Sequence, residues 1–384
     1  MDGTILCDTC NTDYGTSTTA HRCPACGNPL SFALPERSFP AEVIASRAAH
    51  MWRYAEALPA FDEPISLGEP VTPLVPVQIG ALKVLAKCEF QMPSGSYKDR
   101  GSAFLASYLK QAGVVEAMED SSGNAGASLA AYMARGGMGL TVFCPDSASA
   151  GKLAQIQLHG ATVEKIPGAR PRATAALMAA LEGSGAVYAS HSWHPLFLEG
   201  LRTMAYEIAE QLDWSAPDYV CCPVGGGSIL IGLFNGFSDL LEAGVIERMP
   251  RLIAVQAENV SPVCDAFAAG LDEVPPAADP QPTLAEGIAL VQPARHQQLL
   301  HALRSSNGHA IAVSEADIVE GVHALGRAGF FVEPTSAVVW KGLTRFHEDY
   351  PIVDGSTIVA ILSGHGLKAS EKLAQLASSP TPQP

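Results

Sequence analysis

Apolar residues recur along this chain with two different periods, and the two alternate. Short runs rich in Val, Ile, Leu and Phe lie at Leu82–Phe90, Val114–Glu119, Met138–Pro145, Gly160–Pro167 and Ala186–His191. Four more lie at Tyr219–Val224, Leu252–Glu258, Ala310–Val313 and Thr357–Leu362. Their length and composition predict β-strands. Between them the period lengthens. Leu105, Tyr108 and Leu109 share one helical face, as do Leu129, Tyr132 and Met133, and Ile229, Leu230, Leu233 and Phe234. Residues 41–58, rich in Ala and Trp, predict a helix ahead of the first strand. Strands alternating with helices predict an α/β fold with mostly parallel sheets flanked by helices.

Length and charge narrow the class. At 384 residues the chain exceeds the size at which one core stops growing, so two domains and an accessory piece are expected. A formal charge of -15 argues against a nucleic-acid partner, which needs a basic footprint. No apolar run reaches the roughly 18 residues of a membrane span. The start, MDGTILCDTC, lacks the basic and apolar regions of an export signal. A soluble cytoplasmic enzyme is therefore expected, with its nine cysteines as thiols or metal ligands.

Four of those cysteines stand apart. Cys7 and Cys10, and Cys23 and Cys26, form two CxxC pairs separated by twelve residues. Each pair can aim two thiolates at one tetrahedral ion, and four sulfurs suit a structural zinc with no open position for catalysis. His21 is nearby and superfluous as a ligand. A zinc-ribbon-like segment is expected over 1–34. Cys221 and Cys222 read as core thiols, since nothing basic is adjacent to activate them, and Cys88, Cys144 and Cys264 also read as core. His159 and His347 read as surface residues.

Four strand exits are unusually polar and small: Ser94-Gly95-Ser96-Tyr97-Lys98, Asp120-Ser121-Ser122-Gly123-Asn124-Ala125-Gly126, Gly225-Gly226-Gly227-Ser228 and Ser363-Gly364-His365-Gly366. Ligands of open parallel sheets bind beyond the carboxyl ends of the strands. Three residues without Cβ at the start of a helix make an anion cradle sized for a phosphate. The turn is neither a dinucleotide fingerprint nor a nucleoside-triphosphate loop. A lysine desolvated in a small-residue loop becomes a nucleophile toward an aldehyde. Lys98, the cradle, Asn124 for a ring hydroxyl and Ser363 for a ring nitrogen together describe pyridoxal 5'-phosphate.

The segments PSGSYKDRG, SSGNAGASLAAY, PVGGGSILIG and SGHGLK resemble the signature segments of the threonine synthase branch of the fold type II pyridoxal-phosphate enzymes. KLAQIQLHGATVEKIPG and FVEPTSAVV fit the same branch, and the resemblance covers roughly 1–370. It implies that Lys98 is the Schiff-base lysine and that Asn124 lies beside the cofactor phenolate. Gly225, Gly226, Gly227 and Ser228 would hold the cofactor phosphate, and Ser363 would face the pyridine nitrogen. Ser121, Ser122, Gly123 and Ala125 would receive the substrate α-carboxylate. The resemblance further implies a large domain from 35–91 and 201–370, a small mobile domain at 92–200 with the cofactor between them, a disordered tail at 371–384, and a homodimer.

Where that branch commonly reads Asn-Ser-x-Asn-Pro-x-Arg, this chain has His191-Ser192-Trp193-His194-Pro195-Leu196-Phe197. Phe197 in place of arginine removes a bidentate donor fork for the substrate phosphate. His191 and His194 are candidate substitutes, because an imidazolium donates well. Thr283-Leu284-Ala285-Glu286-Gly287-Ile288-Ala289 is closer to the dehydratase branch, so Glu286 is either a site residue or a helix-start carboxylate. Glu333-Pro334 reads as a turn behind the ring pocket.

Two activities follow from the resemblance. One is a threonine synthase-type lyase on O-phosphohomoserine. The other is β-elimination, as in threonine or serine dehydratases, or β-replacement on another 3-substituted amino acid. A non-catalytic cofactor-binding regulator is disfavoured by the intact Lys98.

Overall fold

A computed structural model describes residues 2–148, 150–168 and 170–378. The chain opens with β1 (Thr4–Leu6), β2 (Ser31–Ala33) and α1 (Ala41–Ser46), then β3 (Leu74–Ile79) and β4 (Leu82–Lys87). Next come α2 (Lys98–Gln111), β5 (Glu116–Glu119), α3 (Asn124–Arg135) and β6 (Gly139–Pro145). They are followed by α4 (Ala150–Leu158), β7 (Thr162–Ile166), α5 (Arg170–Leu181), β8 (Val187–Tyr188) and α6 (Pro195–Gln211). The remainder runs β9 (Tyr219–Pro223), α7 (Ser228–Glu242), β10 (Arg251–Ala257), α8 (Pro262–Ala268), α9 (His296–Ser305) and β11 (His309–Val313). It closes with α10 (Glu315–Arg327), α11 (Pro334–Asp349), β12 (Ile358–Ile361) and α12 (Ser370–Ser378).

The chain divides into two compact units. The first comprises Met1–Pro70 and Met92–Thr203, the second Val71–Gln91 and Met204–Pro384. Residues 35–91, expected to belong wholly to one domain, are thus divided at Pro70.

In the first unit a parallel sheet runs β7-β6-β5-β8. A core of Phe143, Ala173, Leu177 and Tyr188 forms beneath α5. The antiparallel ribbon β1-β2 carries the N-terminal cysteines. In the second unit the order is β11-β10-β9-β12-β4-β3, parallel except for β3. Val255, Ile253, Cys221, Ala360 and Val338 are among its core. All nine expected strands are present, and the α/β fold with parallel sheets is as expected.

Three features differ from expectation. β3 was not foreseen: Pro76 interrupts its pattern, and an edge strand tolerates a proline because one side needs no ladder donor. The helix expected over 41–58 is broken into α1 and two single turns, Met51–Arg53 and Ala55–Ala57. Arg47 ends α1 in an extended conformation and its guanidinium donates instead to Arg53 O at 2.6 Å and to Glu56. Residues 371–378 of the expected tail are helical in α12, where Leu373 is buried; 379–384 lie outside the described residues.

The second unit also holds a fully buried ion pair. Lys87 Nζ donates to Glu207 Oε2 at 2.7 Å, and both side chains are 0% exposed. Lys87 further donates to Thr72 O at 2.7 Å and Gln211 Oε1 at 2.9 Å. Thr72 N also donates to Glu207 Oε2.

Candidate functional site

Lys98 is the first residue of α2 and is half-buried. Its Nζ lies 4.6 Å from the Tyr97 ring centroid and 5.6 Å from that of Phe197. The loop before it turns at Gly95 with φ +87°, a conformation open to glycine at little cost. Asp99 holds that loop shut. Its carboxylate accepts from Ser94 N at 2.6 Å, Ser94 Oγ at 2.5 Å and Ser128 Oγ at 2.6 Å. Ser128 lies in α3, so one buried carboxylate fastens the lysine loop to the helix that begins with Asn124. Asp99 and Ser128 were missed from sequence. The available signal was an acidic residue directly after Lys98, five positions after a serine.

The β5 exit supplies the second half of this cluster. Ser121 is buried, Gly123 stands at the N-cap of α3, and Asn124 and Ala125 open its first turn. Gly123 N donates to Ser121 Oγ at 3.4 Å. A Cβ on Gly126 would sit 1.7 Å from the Ser121 carbonyl oxygen, so only glycine lets the helix back so closely onto the loop.

Two buried carboxyls precede that loop. Asp120 accepts from Tyr188 Oη at 3.0 Å and Thr174 Oγ1 at 2.6 Å, with Arg170 at 3.6 Å. Glu119 Oε1 is 2.6 Å from His191 Nδ1. Burial, reinforced by Asp120, pushes the Glu119 carboxyl well above the usual carboxylate range. Burial, then Lys98 and Arg170, hold His191 well below the ordinary imidazole range. The His191 and Phe197 ring centroids are 6.0 Å apart, and Ser192 Oγ is 3.2 Å from His191 Nε2. Neither Glu119 nor Asp120 was given a role from sequence, where Glu119 reads as the end of a strand and Asp120 as the start of its polar exit.

His194 has a different place from the one expected. It is 1% exposed, its Nδ1 accepts from Leu196 N at 3.3 Å ahead of α6, and its ring lies 5.3 Å from that of Tyr108. Those contacts cap a helix and fill a core.

In the second unit, β9 and β12 are adjacent parallel strands, so their carboxyl ends bring two polar turns side by side. After β9, Gly227 forms the N-cap of α7 at φ +82°. A Cβ there would meet Leu299 Cδ1 at 2.3 Å, and one on Gly225 would meet Ile288 Cα at 2.8 Å. One on Gly226 would meet only Leu290, at 3.7 Å. At Gly225 and Gly227 the turn is packed from behind by residues that exclude a side chain, and its amides lie at the positive end of a 15-residue helix. That cradle fits a phosphate.

After β12, Ser363 is 1% exposed and its Oγ lies 3.0 Å from Ser336 Oγ. Ser336 Oγ in turn accepts from Gly364 N at 2.9 Å. Ser336, at the start of α11 behind Glu333, is a fixing residue that sequence reading missed. His365 Nδ1 accepts from Leu367 N, so its ring serves the turn. Glu286 begins a single helical turn, is about half exposed and pairs with Lys372 at 2.5 Å, which favours the helix-start reading over a site role.

In the ribbon, the four sulfurs of Cys7, Cys10, Cys23 and Cys26 lie within 4.8 Å of one another. The separations Cys7 to Cys26 of 3.5 Å and Cys10 to Cys23 of 3.6 Å are close to the ~3.8 Å edge of a tetrahedron with Zn–S of ~2.3 Å. The donor set therefore fits a zinc ion. Thr18 O, between the two pairs, accepts from Tyr108 Oη. The His21 ring stands 4.9 Å from Tyr188 and 6.4 Å from Trp193. Cys88, Cys144, Cys221, Cys222 and Cys264 are buried thiols, each held above its ordinary pKa chiefly by burial.

Comparisons with known proteins follow the same residues. Residues 65–364 match a family model described as pyridoxal-phosphate dependent enzyme. Threonine synthase of Methanocaldococcus jannaschii is 35% identical over 88% of this chain and 85% of that protein. Threonine synthase of Methanosarcina acetivorans is 31% identical over 98% of this chain and 95% of that protein. Among solved structures, a fungal L-serine ammonia-lyase from Rhizomucor miehei aligns with a TM-score of 0.70 at 20% identity, covering 83% of this chain and 99% of that one. At that identity the likeness is one of fold. Among the described residues, no helix is long and apolar enough to cross a membrane.

Proposed function

We propose, from the premise that this chain belongs to the pyridoxal-phosphate dependent enzyme family, that it is a lyase of the threonine synthase type converting O-phosphohomoserine to L-threonine. The observation that carries this reading is the extent of the likeness. One threonine synthase is 31% identical to this chain over 98% of its length, a span that includes the positions of Lys98, Asn124, the glycine turn and Ser363.

Bound through Lys98, pyridoxal 5'-phosphate would supply an electron sink for a carbanion at the substrate Cα. The residues around it have separate tasks. Amides of Gly225, Gly226, Gly227 and Ser228 would hold its phosphate at the head of α7, and Asn124 would donate to its ring hydroxyl. Ser363, steadied by Ser336, would serve the ring nitrogen. A hydroxyl does not hold that nitrogen protonated, so the sink stays mild, which suits elimination over amino transfer. Ser121, Ser122, Gly123 and Ala125 bind the substrate α-carboxylate with hydroxyl and amide donors. Lys98 would take the α-proton as general base. The four cysteines hold a structural zinc.

A second reading, elimination of a neutral β-substituent with release of ammonia and a 2-oxo acid, is favoured by Phe197. It lies beside Lys98 where a phosphate clamp would need a cation. One assay separates the two. The cofactor-loaded protein should release phosphate and threonine from O-phosphohomoserine faster than it releases ammonia from serine or threonine. Ammonia release alone would remove the first reading.

The metal assignment carries its own expectation. Metal analysis should find one zinc per chain, and Cys7→Ser should lower it well below stoichiometry while leaving cofactor content in place. Full zinc content in that variant would place the metal elsewhere.

A further inference from the structure

A substrate phosphate needs a cation, and the strand exit that begins at His191 offers none in fixed form. It offers a carboxyl joined to an imidazole. Glu119 Oε1 and His191 Nδ1 are 2.6 Å apart, and the Glu119 side chain is 0% exposed against 14% for His191. An anion therefore reaches the imidazole and not the carboxyl. Glu119 Oε2 is buried with no hydrogen-bond partner among the described residues. A carboxylate left so bare is costly unless a cation sits against it.

One shared proton gives this pair two states of equal composition. In one, Glu119 is a neutral acid donating to Nδ1 of a neutral imidazole. In the other, the O–H bond has broken and an N–H bond has formed at Nδ1, leaving carboxylate and imidazolium. No proton enters or leaves. A dianion on the Nε2 side stabilises the second state, since the imidazolium is nearer to it than the carboxylate.

We propose that Glu119 and His191 are a switchable anion-binding pair for the substrate phosphate, in which Glu119 passes its proton to His191 Nδ1 as the phosphate arrives. The inference rests on the threonine synthase-type reading and adds Glu119 as a positioning residue, acting through His191. Ser192 Oγ, 3.2 Å from Nε2, lies along the same line of hydrogen bonds. Other groups set the resting state. Asp120, Tyr188, Lys98 and Arg170 face the pair from the β5 exit, β8, α2 and α5. Lys98 and Arg170 oppose the imidazolium, and with burial they keep the empty pair neutral. The pair therefore becomes charged only when its ligand is present.

The test titrates cofactor-loaded protein with inorganic phosphate by calorimetry from about pH 6 to about pH 9. Wild type, Glu119→Gln, His191→Asn and the double variant are compared. In Glu119→Gln the imidazole can be charged only from solvent. The ratio of wild-type to variant affinity, which cancels the titration of phosphate itself, should then rise with pH by up to about tenfold per unit. Once His191 is asparagine, Glu119→Gln should cost nothing further, the non-additivity expected of two groups acting as one. A pH-independent ratio, or an equal loss in the His191→Asn background, overturns the proposal. So does phosphate affinity unchanged in all three variants. Thermal unfolding of each variant controls for misfolding, and His191→Asn alone still reports whether the imidazole binds phosphate. If threonine is formed but the ratio is flat, the pair falls and the function stands. If the ratio rises but no threonine forms from O-phosphohomoserine, the pair stands and the substrate falls.

Discussion

Lys98→Ala should abolish the visible absorption of the cofactor-loaded protein and reduce turnover by on the order of 10³-fold or more. The substitution removes both the amine that carries the aldehyde and the base proposed for the α-proton. Its effect on folding should be small. The ammonium stands over the rings of Tyr97 and Phe197, contacts worth about 0.5–1 kcal/mol at a partly exposed site. The Asp99 bonds that fix the loop do not involve the lysine side chain. Paired measurements of absorption and thermal midpoint therefore separate loss of chemistry from loss of structure. A variant that keeps its visible band with added pyridoxal phosphate would move the cofactor to another lysine and remove the functional reading.

Glu207→Ala should cost about 3–5 kcal/mol in the urea-unfolding free energy, the largest stability loss predicted for this chain. It would leave Lys87 charged and enclosed without its Glu207 partner, while Thr72 O and Gln211 Oε1 still accept from it. Removing both charges is a different experiment. Lys87→Met with Glu207→Leu should recover most of the loss, because two apolar side chains of similar length dispense with the desolvation of both ions. If the double variant is as unstable as Glu207→Ala, packing and not charge explains the effect.

The strands were legible because buried parallel strands are nearly continuous apolar runs, bounded here by glycine and serine turns. Pro76 hid β3, because a proline in a short run argues against a strand unless the run lies at an edge. The glycine turn at 225–227 was legible because three residues without Cβ before a helical pattern have few other uses. The ties that hold the site were not. Asp99 bonds Ser128 across 29 positions and Glu119 bonds His191 across 72. No local period or spacing marks such pairs, since the chain brings them together only through sheet order. His194 shows the converse: a residue type suited to phosphate accepts from Leu196 N at the start of α6 and packs on Tyr108 of α2.

The ribbon is fastened by its middle. Thr18 and His21, between the two CxxC pairs, rest on Tyr108, Tyr188 and Trp193. During synthesis the cysteines emerge before the surfaces the ribbon rests on, by more than 80 residues for Tyr108 and more than 160 for Trp193. The four cysteines are thus all present in a nascent chain before any of the surfaces the ribbon rests on has been made. Capture of the proposed zinc and docking of the ribbon are then separable, and a chain truncated ahead of Tyr108 tests the first alone.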